Sequence, residues 1–170
     1  ELKSCRFDGD IADASLRWTP SVEGNRRTWT FSCWSKGGSY TAAAQAFFSA
    51  NNQGFNFEFT ATEDILLNNY AAPYGNELIR TNARYRDPSA WYHIVGIWDT
   101  TNATANDRIR LWVNGEQVTS FQLRTNPVQN LEGEINTTTV HYIGARSNNT
   151  SWIDGYMAEC YFIDGYALDA

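Results

Sequence analysis

The stretch Ile109-Arg110-Leu111-Trp112-Val113-Asn114-Gly115 constrains this chain more than any other. Ile109, Leu111 and Val113 alternate with Arg110 and Trp112, the period of a strand with one buried face. Asn114-Gly115 accepts positive φ at both positions of a tight primed turn, whose twist matches that of its flanking strands. The next run, with Val118 and then Phe121, is therefore expected to fold straight back on the first. Upstream, residues 91–98 are aromatic and β-branched, which suits a buried pleated surface. That run stops at Asp99-Thr100-Thr101-Asn102, where short polar side chains favour turns.

The same period recurs along the chain. Residues 4–7 and 15–19 read as short strands. Over residues 28–35, Trp29, Phe31 and Cys33 share one face, with Thr30, Ser32 and Trp34 on the other. Residues 46–49 open another strand. Phe55, Phe57 and Phe59 alternate with Asn56 and Glu58, one aromatic face and one wet face. Residues 65–67, 78–81, 140–144 and 152–163 complete the set. Residues 68–75 read as a long loop carrying Tyr70 and Tyr74, Asp87-Pro88 as a turn, residues 124–136 as a polar crossing between sheets, and residues 147–150 as an exposed loop. Many short strands without a periodic helix predict an all-β fold, a two-sheet antiparallel β-sandwich. The 170 residues fit a single domain.

Five stretches resemble a known family. The run from Trp91 to Phe121, then Ile143-Gly144-Ala145, then Trp152-Ile153-Asp154-Gly155-Tyr156-Met157-Ala158-Glu159, is similar to laminin-G-like modules of the concanavalin A-like lectin and glucanase superfamily. Residues 24–32 and 85–95 resemble a subgroup found in structural proteins of marine tailed phages. The resemblance spans Gly24 to about Leu168. It implies a concanavalin A-like jelly roll, one module of a longer chain, and a place on the surface of a virion.

Composition narrows the partners. A net charge of −6 argues against nucleic acid, because phosphate binding needs clustered Lys and Arg. No apolar run is long enough for a membrane helix, so no membrane insertion is expected. Aromatic residues make up 15 % of the chain; they suit a two-layer core and equally suit stacking on sugars. Cys5, Cys33 and Cys160 lack metal-ligand spacing. In the family the first and last strands lie side by side, which would let Cys5 approach Cys160; Cys33 reads as buried and inert.

Hydrolysis of a glycosidic bond needs two carboxyls on one face. Glu132-Gly133-Glu134 has the spacing but lies in a polar stretch and reads as solvated turn charges, while Glu58 stands alone among phenylalanines. His93 and His141 each lie inside a strand-like run and read as structural. No catalytic residue is expected. The resemblance implies calcium as a candidate ion, with Asp99, Asn102, Asp107 and Asp154 as oxygen donors. Ala158, however, stands where the family pattern carries an acid, and no D-x-D-x-D spacing occurs, so no metal ligand and no cofactor are assigned.

Loop aromatics with neighbouring amides have the chemistry for sugars: a ring face for the pyranose, amides for its hydroxyls. Tyr40, Tyr70, Tyr74 and Trp152 with Asn68, Asn69, Asn148 and Asn149 qualify, and the expected carbohydrate-binding residues are Tyr70, Tyr74, Asn148 and Trp152. The bland alternative is that these side chains cover the sandwich ends or pack on neighbouring chains. The expectation is thus a non-enzymatic, lectin-like virion module that binds a glycan for adhesion to a host surface. The alternative is a purely structural module whose partners are other virion proteins or copies of itself in a homo-oligomer.

Overall fold

Runs with a two-residue period form strands here. The structure, a computed structural model, describes residues 3–9, 14–37, 43–51, 54–70, 76–146 and 150–169. The strands among them are β1 (Ser4–Phe7), β2 (Leu16–Trp18), β3 (Thr28–Gly37), β4 (Gln45–Ala50) and β5 (Phe55–Phe59). β6 (Ile65–Asn69), β7 (Glu77–Thr81), β8 (Tyr92–Asp99), β9 (Ile109–Val113) and β10 (Glu116–Gln117) follow. β11 (Phe121–Thr125), β12 (His141–Ile143) and β13 (Gly155–Asp164) end the series. Every pairing between them is antiparallel, in a six-stranded sheet ordered β1-β13-β3-β8-β9-β10 and a seven-stranded sheet ordered β11-β7-β6-β5-β4-β12-β2. The fold is the two-sheet β-sandwich expected.

The core is what the alternating faces bury against each other. Trp29, Phe31 and Cys33 of β3 meet Phe48 of β4 and Phe55 and Phe57 of β5. The Phe31 and Phe48 rings stack at 4.7 Å, and Phe47 meets Phe59 edge-on at 4.6 Å, both favoured aromatic geometries. A smaller apolar cluster of Val95, Ile97 and Trp112 lies on the outer face of the six-stranded sheet. The chain end covers it: Ala167 packs there, and the Thr30 hydroxyl donates to the Tyr166 carbonyl (2.8 Å) while accepting the Leu168 N–H (2.9 Å).

At the β9–β10 turn, Asn114 (φ 54°) and Gly115 (φ 81°) both take positive φ, as the primed turn requires. The hairpin is shorter than expected, however. Glu116 and Gln117 pair with Val113 and Trp112, and the Val118 N–H reaches the Leu111 carbonyl (2.8 Å). The chain then leaves, and Phe121 opens β11 against β7 of the other sheet. The crossing between sheets thus lies at residues 119–120, not in residues 124–136. Asn68 and Asn69, read as loop, are the last residues of β6.

The three cysteines are free. β1 and β13 do lie side by side, but Cys5 pairs with Met157 and is exposed. Cys160 instead faces Cys33 across the register shift between Ala158 and Tyr161, and the two thiols are hydrogen-bonded. Burial pushes the Cys33 thiol well above its usual range, with the Cys160 contact adding to it, whereas the bond from Cys33 lowers Cys160.

Candidate functional site

Two surfaces of the sandwich carry chemistry, one on each sheet. On the seven-stranded sheet, the residues between core positions point away from the core. Register lines up Tyr142, Ser49, Asn56, Asn68 and Leu78 in one row across β12, β4, β5, β6 and β7. Four of these five side chains can make hydrogen bonds. The next row holds Glu58, Leu66 and Arg80.

Asn56 and Glu58, expected on a wet face, are only 7 % and 1 % exposed, whereas Asn68 and Arg80 beside them are half-buried. Glu58 accepts two hydrogen bonds from Arg146, at 2.7 Å from Nε and 2.5 Å from Nη2. This fork-to-carboxylate geometry satisfies a buried charge. The carboxylate in turn raises the Arg146 guanidinium above its usual range, against the opposing effect of burial. Asp64, also buried, receives Arg80 at both oxygens (2.7 and 3.0 Å), with Thr60 and Thr62 hydroxyls at 2.9 and 2.7 Å. Burial pushes Asp64 up, but these bonds outweigh it and hold the carboxyl below its usual range.

Asn68 differs from the two carboxylates. Among the described residues its buried Oδ1 accepts no hydrogen bond, an exception among buried polar atoms. Asn69 turns inward, donates to Glu77 (3.0 Å) and accepts the Glu134 N–H (2.8 Å).

Tyr70 lies two residues beyond Asn68 and is 60 % exposed, its N–H held by the Gly54 carbonyl (2.6 Å). Trp152 is half-buried, next to Ser151, whose carbonyl accepts the Ala46 N–H (3.0 Å); its indole Nε1 is buried and has no partner. Gly54 leads into Phe55, which pairs with the last residue of β4, whereas Ala46 is near the first. Tyr70 and Trp152 therefore stand toward opposite ends of the central strands and are not brought together. Tyr74, Asn148, Tyr40 and Asn149 lie outside the described residues. Arg146, Tyr142, Ser49 and Asn56 were not singled out from sequence. No local signal marks Arg146, because its partner Glu58 is far along the chain.

Four of the remaining expected residues have protein partners. Glu132 pairs with Arg27 (2.8 Å), and Glu134 bonds Asn51. Asp99 Oδ1 accepts the Thr101 N–H and hydroxyl, and Asn102 Oδ1 the Thr104 N–H, as in Asx turns. Among the described residues no group of three His, Cys, Asp or Glu side chains could hold a metal ion.

The second surface is on the outer face of the six-stranded sheet. Register sets Ser4, Ala158, Trp34 and His93 side by side across β1, β13, β3 and β8. Ser4, Trp34, Trp91 and Ala158 line a cleft of about 310 Å³. His93 stacks under the Trp34 indole (centroids 4.9 Å apart, planes at 25°) and its Nε2 lies 3.0 Å from the Ser32 hydroxyl. Burial pushes the His93 imidazole down from its usual range.

A family model of the laminin G type, described as Concanavalin A-like lectin/glucanases superfamily, matches residues 7–170. The chain belongs to this superfamily. No curated protein matches the chain in sequence. Solved structures share the superfamily's fold at low identity. The native heptameric SAP-like pentraxin of Limulus polyphemus is 13 % identical over 94 % of this chain and 74 % of its own, with a TM-score of 0.63. The CBM40 of the Ruminococcus gnavus IT-sialidase, solved bound to α2,3-sialyllactose, is 16 % identical over 90 % of this chain and 93 % of its own, with a TM-score of 0.59. Domain 4 of AbnA, a GH43 extracellular arabinanase of Geobacillus stearothermophilus solved with arabinotriose, is 14 % identical over 91 % and 68 %, also with a TM-score of 0.59. At such identities these likenesses concern the superfamily fold, and function has to be argued from the site.

Proposed function

We propose that this domain binds carbohydrate without catalysis, on the outer face of the seven-stranded sheet. One observation carries the reading: the buried, unpartnered Oδ1 of Asn68, set in a row of amide and hydroxyl side chains. A sugar hydroxyl donates to such an acceptor, and Tyr70, two residues on, offers a ring for the sugar's apolar face. The carboxylates of this face support recognition rather than hydrolysis. Both oxygens of Glu58 and of Asp64 are held by arginine, so neither is free to meet a glycosidic oxygen. The complexes of the R. gnavus and G. stearothermophilus domains with sialyllactose and arabinotriose support a glycan as the ligand class. The likeness of residues 24–32 and 85–95 to phage structural proteins supports a virion-surface module that adheres to a host glycan.

A second reading, a structural module docked on other virion proteins, draws on β2. All three of its residues are exposed, and two of them, Leu16 and Trp18, are apolar. One experiment separates the two. A glycan array identifies a ligand, and titration calorimetry compares the wild type with Asn68→Ala. Glycan binding weakened about tenfold by the substitution, with an unchanged circular dichroism spectrum, is the expected result. An empty array, or affinity indifferent to Asn68, overturns the proposal and favours the structural reading.

A further inference from the structure

We infer that the cleft between Trp34 and Trp91 is a second ligand site, on the opposite sheet, and that it takes a single sugar ring bearing a carboxylate. It uses no residue of the seven-stranded sheet and stands apart from the proposal above.

The walls come first. Trp34 and Trp91 are each 37 % exposed, and two indoles facing one cleft offer the flat apolar surface a pyranose prefers. They are held in place before any ligand arrives. Trp34 rests on His93, which is fixed in turn by the Ser32 hydroxyl at Nε2 and, at its backbone N–H, by Asn114 Oδ1 (2.8 Å). Trp91 leans on Tyr156 (centroids 6.5 Å apart, planes at 56°). Walls already ordered in the free protein lose little entropy on binding. The floor is small, made by Ala158 and Ser4, and the volume of about 310 Å³ sits at the low end for ligand pockets. One ring fits better than a chain.

The rim supplies the charge. Arg6, Tyr156 and Lys36 are register partners across β1, β13 and β3, one step from the cleft row of Ser4, Ala158 and Trp34. Two cations thus flank the cleft in a chain whose net charge is −6. Among the described residues neither Arg6 nor Lys36 forms an ion pair within 4.0 Å. Asp87 lies near Lys36 and partly balances it, so Arg6 is the freer of the two, and its planar fork suits a carboxylate. Ala158 matters twice: an acid in its place would fill the floor and repel an anion. Among the described residues the chain end covers this sheet face around Thr30, Arg110 and Trp112, and Trp34 keeps its exposure.

The test is an NMR titration of the whole domain with galacturonic acid, galactose and acetate, following the indole N–H signals, which single Trp→Phe variants assign. Galacturonic acid is expected to shift the Trp34 and Trp91 signals saturably, more tightly than galactose, with acetate leaving them in place. Trp34→Ala abolishes the response. Arg6→Ala, an exposed substitution that does not touch the core, weakens it about tenfold and removes the preference over galactose. Asn68→Ala leaves it unchanged, which separates this site from the one on the other sheet. No saturable shift, equal binding of galactose, an equal response to acetate, or loss on Asn68→Ala would each overturn the inference.

Discussion

His141 accepts the Asn136 N–H at Nε2 (3.1 Å) and faces the Thr139 carbonyl with Nδ1 (2.9 Å). Both bonds are satisfied only by the neutral ring protonated at Nδ1. A second proton would set N–H against N–H. Burial lowers the His141 pKa from its ordinary 6.5, and the Thr139 carbonyl opposes this without cancelling it. Below that value the unfolded chain binds the proton more readily than the folded one, so stability is full above it and falls as the solution is acidified. Asn136, at φ 64°, also binds the Asn25 carbonyl and Asp164 (both 2.8 Å), so protonation loosens the segment that ties these loops. Melting temperature is expected to drop between about pH 7.5 and 5, with a shallower slope in His141→Gln. The sequence reading of His141 as structural agrees with these bonds. Arg146 and the open acceptor of Asn68 were beyond it, because partners across two strands leave no local trace.

Single elements were the most legible scale, because a face that packs against a core imposes its period on the sequence. β1 and β9 span the residues expected, β9 from alternation alone. The misreadings fall where tertiary contacts override local preference. Asn68 and Asn69 look like turn residues, yet pairing with β7 and the inward bonds of Asn69 keep them in β6. Phe121 looks like a hairpin residue, but β10 ends early and the chain changes sheet. Gly96, in the middle of β8, shows how tightly the elements meet. A β-carbon there would lie 2.6 Å from Phe57 Cε1 and 3.2 Å from Leu67 Cδ1. The Phe57 ring cannot yield, being fully buried edge-on against Phe31 and Phe47. Gly96→Ala is expected to cost about 1–3 kcal/mol, read as a lower urea midpoint at unchanged slope.

For the whole molecule, the two-layer architecture was legible from strand period and family resemblance. Which sheet each strand joins was not, because neighbours in the sheets are often remote in the chain: β1 beside β13, and β12 between β4 and β2. Such pairing must close long loops before any contact rewards them. Refolding is therefore expected to take from about a millisecond to seconds, followed by stopped-flow tryptophan fluorescence; a microsecond phase carrying the full amplitude would contradict this. The outermost strands of the two sheets are short: β10 has two residues, β2 three, β1 four, and β11 five with an irregular register. Borders this brief give a neighbouring backbone almost nothing to zip onto. Copies crowded side by side would meet through side chains alone, and so could be displayed densely without fusing into fibrils.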